Sequence, residues 1–213
     1  MMITPNLNVL LYAALTTIKI SIIAGLIGSM GGLAMGIVTS NQLKVSVIAP
    51  VIKGYITIIR GTPVFIQLLL VYFGLPAVTG IDLTPFMAGV ATLGCNATAY
   101  MAEIIRGGIN ALSTAQWEAS YALGYNPGQT LRYIILPQVL QNVSPAITNE
   151  FIAIVKQSSM LMILGVPELT KVSKDIVSRE LRPFEIYLCT ALIYFCITTV
   201  VSMLAANLEQ ESK

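Results

Sequence analysis

Long apolar stretches constrain this chain more than any other feature. From Leu10 to Val38 the sequence carries a single charge, Lys19. An apolar run beyond about 18 residues is long enough to cross the hydrocarbon core of a bilayer as a helix. Composition carries the same message for the whole chain: 55% of the 213 residues are hydrophobic and 10% are charged. A soluble domain of this length would expose far more charge. The expected fold class is an all-α membrane protein.

Five spanning helices are expected, at about 10–38, 55–75, 85–105, 142–166 and 184–208, in one transmembrane domain covering 1–213. The first holds Gly28, Gly32 and Gly36. Small residues four apart let two helices approach closely in lipid. In the second, the run from Val64 to Leu75 is too short to span by itself, so the helix has to extend back through Arg60-Gly61-Thr62-Pro63. That places an arginine and a helix-kinking proline at or near membrane depth. The third contains Asn96, Tyr100 and Glu103, and Arg106 follows three residues after the glutamate, the spacing for a pair on one helix face. The fourth contains Glu150, Lys156, Ser158 and Ser159. No internal repeat, low-complexity segment or soluble domain is visible.

The residue inventory narrows the function classes. Net charge is +2, which gives nucleic acid no electrostatic footing. There is no histidine, the commonest metal ligand and general base. Cys95, Cys189 and Cys196 lie in apolar runs without metal-site spacing and read as buried small hydrophobes. Neither a catalytic residue nor a metal site is expected. The N-terminus lacks the basic start of a signal peptide, and its apolar run exceeds the ~7–15 residues of a signal core, so it reads as a retained anchor.

One segment breaks the apolar pattern. Ser113 and Gln116 have the form of a capping box, Ala115 to Leu123 is a good helix-forming run, and Gly124 can close it in a left-handed conformation. Asn126-Pro127 then restarts a helix, with Leu131, Ile134 and Ile135 on one apolar face. The expected product, over about 113–137, is helix, sharp turn, helix: a unit that could wedge into a groove on another protein.

Glu118-Ala119, four residues, Gly124, nine residues, then Ile134-Ile135-Leu136-Pro137 resembles the EAA loop of the permease subunits of ABC importers. Ser120 stands where that family usually has alanine. Other stretches resemble the polar amino acid subfamily, the HisMQ/GlnP-like permeases: Arg60-Gly61-Thr62-Pro63 running into VFIQLLLVYFGLP; Ala99-Tyr100-Met101-Ala102-Glu103 continuing IIRGGI; Gln116-Trp117-Glu118-Ala119, with Ala115 in place of the usual glycine; Asn149-Glu150-Phe151-Ile152 continuing AIVKQSSM; and Gly165-Val166-Pro167-Glu168-Leu169. They cover nearly the whole chain in order.

The resemblance implies the type I importer permease fold in a bacterial cytoplasmic (inner) membrane. It implies a transport subunit rather than an enzyme, assembled with a second permease copy or homologue, two ATPase subunits and an extracytoplasmic amino acid-binding protein. ATP and Mg would be bound by the ATPase and no cofactor by this chain. Glu118, Ala119, Ala122, Leu123, Gly124 and Pro137 would couple ATPase motion to the membrane helices. Lys/Arg placement gives little orientation signal. Putting the loop beside the ATPase puts the N-terminus outside and the C-terminus in the cytoplasm.

Charges in spanning helices cost about 2.5–3.5 kcal/mol each by insertion scales, so they are retained when paired, solvated in a cavity, or functional. Arg60 could hold a substrate carboxylate with a two-pronged bond, and Glu150 an ammonium or guanidinium. The alternatives are a structural ion pair or snorkelling at a helix end. Asn96, Tyr100 and Ser158 could line the path or make helix-to-helix hydrogen bonds. Glu150 stands where the family often has a neutral amide, which favours a basic amino acid of the arginine or lysine kind. Gln157, replacing an acidic residue usual after the lysine, favours glutamine or another polar amino acid. An ATP-independent secondary transporter is the other transporter class open to such a chain, and a non-transporting scaffold or sensor is a further one.

Overall fold

The computed structural model describes residues 3–42 and 47–211, and all regular structure among them is helical. The elements are α1 (Ile3–Thr39), α2 (Ala49–Gly61), α3 (Val64–Leu69), α4 (Leu75–Thr79), α5 (Pro85–Ala111), α6 (Thr114–Ala122), α7 (Pro127–Thr130), α8 (Leu136–Gln157), α9 (Leu169–Glu180) and α10 (Pro183–Glu211). A π turn at Leu70–Gly74 joins α3 to α4, another at Leu131–Ile135 joins α7 to α8, and a 3-10 segment, Ser158–Leu164, extends α8.

Helices α1 and α5 form the centre and run parallel. A side-chain carbon on Gly28 would lie 2.6 Å from Ala97 Cβ, and one on Gly36 would lie 2.7 Å from Ile105 Cβ; Gly32 faces Met101 in the same way. The glycine stripe therefore brings two backbones together, as small residues do in lipid. Thr84 starts α5, its hydroxyl accepting from the Met87 N–H at 3.2 Å, with Pro85 at the first helical position. Around this pair one core cluster gathers Ile20, Ala24, Leu93, Ala97, Ile154 and Leu161 from α1, α5, α8 and the 3-10 segment.

Two described helices are long and apolar enough to cross a membrane alone, Asn6–Thr39 and Pro183–Asn207. Two bent pairs pass together: Ala49–Gly61 with Val64–Thr79, and Pro127–Leu164 with Leu169–Glu180. Helix α5 is not among them, although its 27 residues exceed the ~20 needed to span. It is rich in small and polar residues, and about half of it is buried against its neighbours.

The expected helix at 55–75 is not continuous. Its two halves meet at 106°. Pro63 has no N–H to donate and disfavours the helical conformation at Thr62, which is extended at φ −120° and ψ 145°. Carbonyls freed by the break are not left bare: Gln67 Nε2 donates to Ile59 O at 2.8 Å and Thr62 O at 3.1 Å.

The expected helix at 142–166 is also longer and differently divided. Helical backbone runs from Pro127 to Leu164, turns by 51°, and resumes as α9. Helix α9 lies between two of the expected spans, and Lys171, Lys174, Asp175, Arg179 and Glu180 crowd it. Its inner face, Leu169, Val172 and Ile176, nonetheless packs on Leu10, Ala14 and Ile186. Glu168 is fully buried and caps it, accepting from the Thr170 and Lys171 N–H groups at 2.8 and 2.7 Å and from the Tyr194 hydroxyl at 3.0 Å.

The cysteines correct the reading as buried hydrophobes. Cys95 and Cys196 are exposed and Cys189 is half-buried. An apolar run of sequence therefore does not place each of its side chains in the interior of the chain.

Candidate functional site

Arg60 ends α2 just before the break. Its guanidinium lies 5.3 Å from the centre of the Tyr100 ring and 3.7 Å from Glu103 Oε1. Arg106 holds the same carboxylate with two bonds, from Nε to Oε2 at 2.9 Å and from Nη2 to Oε1 at 2.5 Å. One carboxylate thus serves two arginines, closely to its own-helix neighbour and loosely across to α2. Beside this cluster is a cavity of about 560 Å³ lined by Lys53, Ile56, Thr57, Arg60, Gly61, Glu103 and Arg106.

Glu150 is on α8. It is partly buried, and its Oε1 is enclosed without a hydrogen-bond partner. Arg60 lies within electrostatic range of it but forms its ion pair with Glu103. Among the described residues no cation is in ion-pair contact with Glu150.

The neutral candidates divide. Tyr100 is half-buried beneath Arg60. Asn96 is 1% exposed and donates to Gln67 Oε1 at 3.0 Å, so it links α5 to the residue that mends the broken helix. Ser158 is fully buried and donates to Val155 O at 2.8 Å, a bond within its own helix. Lys156 is exposed. Gln67 was not singled out from the sequence, although an amide four residues after a proline break is in position to reach back to the carbonyls the proline frees.

The segment at 113–137 is a helix, a turn and a helix start. Ser113 accepts from the Ala115 N–H at 3.2 Å, and Gln116 Oε1 is buried without a partner, so the expected capping box is absent there. It occurs instead one helix later: Asn126 Oδ1 accepts from the Gln129 N–H at 2.9 Å, and Gln129 Oε1 from the Asn126 N–H at 3.0 Å. Gly124 makes the turn at φ +85°, a region that favours glycine. Trp117 and Ile135 anchor the unit, buried against Ile105, Ile109, Val139 and Val143. The Ser120 hydroxyl, also buried, lies 2.9 Å from that of Thr130 and bonds Trp117 O at 2.7 Å, tying the two helices together. Glu118, Ala119, Ala122 and Pro137 are exposed, and the turn ends in Leu123, 76% exposed, flanked by Tyr121 and Tyr125.

Residues 28–213 match the family described as "Binding-protein-dependent transport system inner membrane component". The arginine transport system permease protein ArtQ of Bacillus subtilis (strain 168) is 34% identical over 212 residues, covering 98% of this chain and 94% of the relative. The glutamine transport system permease protein GlnP of Escherichia coli (strain K12) is 34% identical over 214 residues, covering 99% and 96%. A chain from the crystal structure of an amino acid ABC transporter with histidines superposes with a TM-score of 0.86 at 37% identity, covering 96% of this chain and 94% of that one. A chain of the inward-facing MetNI methionine ABC transporter shares the fold, with a TM-score of 0.82 at 19% identity over 98% of both chains. These matches fit the all-helical architecture and the interrupted, charge-bearing helices: the chain belongs to the inner membrane components of binding-protein-dependent transport systems and is an amino acid ABC importer permease of the type I fold, a transport subunit rather than an enzyme.

Proposed function

We propose that this permease passes a basic amino acid, of the arginine or lysine kind, across the cytoplasmic membrane. One observation carries the reading: Glu150, on a helix expected to span the membrane, has an enclosed carboxylate oxygen with no hydrogen-bond partner. A buried acceptor left unmade is costly. A passing ammonium or guanidinium would supply the missing partner with a charge-assisted bond. Arg60, loosely held by Glu103, would receive the carboxylate end, with Tyr100 beneath it and Asn96 and Ser158 supporting the surrounding helices.

In this reading two permeases, identical or homologous, pair with two ATPase subunits, and a binding protein delivers the amino acid outside. The N-terminus faces outside and the C-terminus the cytoplasm. ATP and Mg act on the partner. The turn at Leu123 and Gly124, with Glu118, Ala119, Ala122 and Pro137 around it, docks on the ATPase and passes its closure to α5 and α8 through Trp117 and Ile135.

Glutamine is the rival substrate, and equal identity to ArtQ and GlnP leaves the relatives neutral between them. Uptake by the reconstituted complex decides it. Labelled arginine should accumulate with ATP, and Glu150→Gln should depress arginine uptake about tenfold or more, the effect of losing a charge-assisted bond. Uptake of glutamine but not of arginine would sink the basic reading.

A further inference from the structure

The charges around the α2 cavity do not balance. Lys53, Thr57 and Arg60 recur at four- and three-residue spacing, so they share one face of α2. Opposite them α5 contributes Glu103 and Arg106, giving three cations and one carboxylate around a cavity of about 560 Å³. Arg106 holds that carboxylate with two bonds, at 2.9 and 2.5 Å, while Arg60 stands 3.7 Å from it. Arg106 therefore neutralises Glu103, and Lys53 and Arg60 are left facing the cavity as surplus positive charge. Among the described residues no other carboxylate lines it. Arg60 is also pre-oriented: its guanidinium lies over Tyr100, which stabilises the cation without occupying its hydrogen-bond donors.

We infer that this cavity is an anion site that takes the α-carboxylate of the amino acid, with Lys53 as a specificity residue beside Arg60. The inference rests on the amino acid transport reading but not on the choice of arginine over glutamine. Two cations about 10 Å apart along one helix face can close on a carboxylate from either side through their long side chains. The hydroxyl of Thr57, one turn from each, donates to Lys53 O at 2.9 Å and so leaves the anion to the two cations. Glu103 has a second role here, competing for Arg60 so that the carboxylate is held reversibly and can leave.

The test is direct binding of labelled amino acid to the permease–ATPase complex in nanodiscs, without binding protein, so that delivery does not set the selectivity. Competition by the amino acid is compared with competition by its decarboxylated analogue: agmatine for arginine, 4-aminobutanamide for glutamine. The wild-type complex should favour the carboxylate-bearing ligand by about tenfold or more. Lys53→Gln should weaken amino acid binding and shrink that ratio, leaving affinity for the analogue unchanged, while Lys53→Arg should restore it. Co-purification with the ATPase and the melting temperature of the complex report that each variant is folded. Equal competition by the analogue in the wild type, an unchanged ratio in Lys53→Gln, or no saturable amino acid binding at all would overturn the inference. Displacement of the label by inorganic phosphate, or loss of binding in phosphatidylglycerol nanodiscs, would assign the site to phosphate or to a lipid headgroup and overturn it too. Should glutamine displace the label while arginine does not, the basic-substrate reading fails alone, and the carboxylate test proceeds with glutamine and its analogue.

Discussion

Ser120 shows how much one hydroxyl does here. The position is small because Trp117 and Thr130 enclose it, and the serine adds a bridge that alanine could not make. Ser120→Ala should lower the stability of the helix–turn–helix by about 1 kcal/mol, the usual net worth of a buried hydrogen bond. Thermal unfolding of the purified complex should register the loss. Gly124→Ala should cost about 1–2 kcal/mol, because its left-handed backbone crowds any side-chain carbon. The same unfolding experiment measures it, and wild-type stability in that variant would mean the turn relaxes to another shape. Gly124's conformation was legible from the sequence because it follows from a local rule at a helix end. The partner of Ser120 was not, since it depends on how the next helix folds back.

Among the elements, the contact between α1 and α5 and the break between α2 and α3 carry the architecture. Gly32→Leu should drive α1 away from Met101 and cost about 1–3 kcal/mol or prevent assembly, as overpacking does; yield of intact complex by size-exclusion chromatography is the readout. Gln67→Leu should cost about 1–3 kcal/mol by stripping the donor from Ile59 O and Thr62 O and leaving Asn96 without its acceptor. A variant with unaltered melting and transport would show that the break needs no support. The proline announced a disturbance in this helix, but it could not announce an angle of 106°. How far a broken helix swings depends on what its second half packs against, here Leu93, Val90 and Ala88 of α5.

For the whole molecule, exposed apolar surface has to be shared between lipid and the partner subunits of the importer. The tip at Leu123 is 76% exposed and fits the ATPase in the function proposed here. Leu123→Asp should leave membrane insertion intact and weaken recovery of the ATPase with the permease, with uptake falling in parallel. Co-purification at wild-type ratio together with normal uptake would remove Leu123 from that role. The EAA-like segment was legible because its residues form one continuous stretch with strict spacing. The ion cluster at Arg60 was not, because its members lie on two helices more than forty residues apart in sequence.

The sequence by itself determined that the chain is helical and membrane-embedded, that a polar segment interrupts it at 113–137, and that Glu103 and Arg106 pair, since three residues on a helix bring them to one face. Hydropathy and helix periodicity are local properties and survive without knowledge of the fold. Tertiary structure decided which charge Arg60 meets. From sequence, Arg60 and Glu150 stand out as opposite charges at membrane depth. In the folded chain the swing of α2 across α5 brings Arg60 to Glu103, and Glu150 keeps a bare oxygen. Pairing between helices depends on crossing angle and depth, which no single helix encodes.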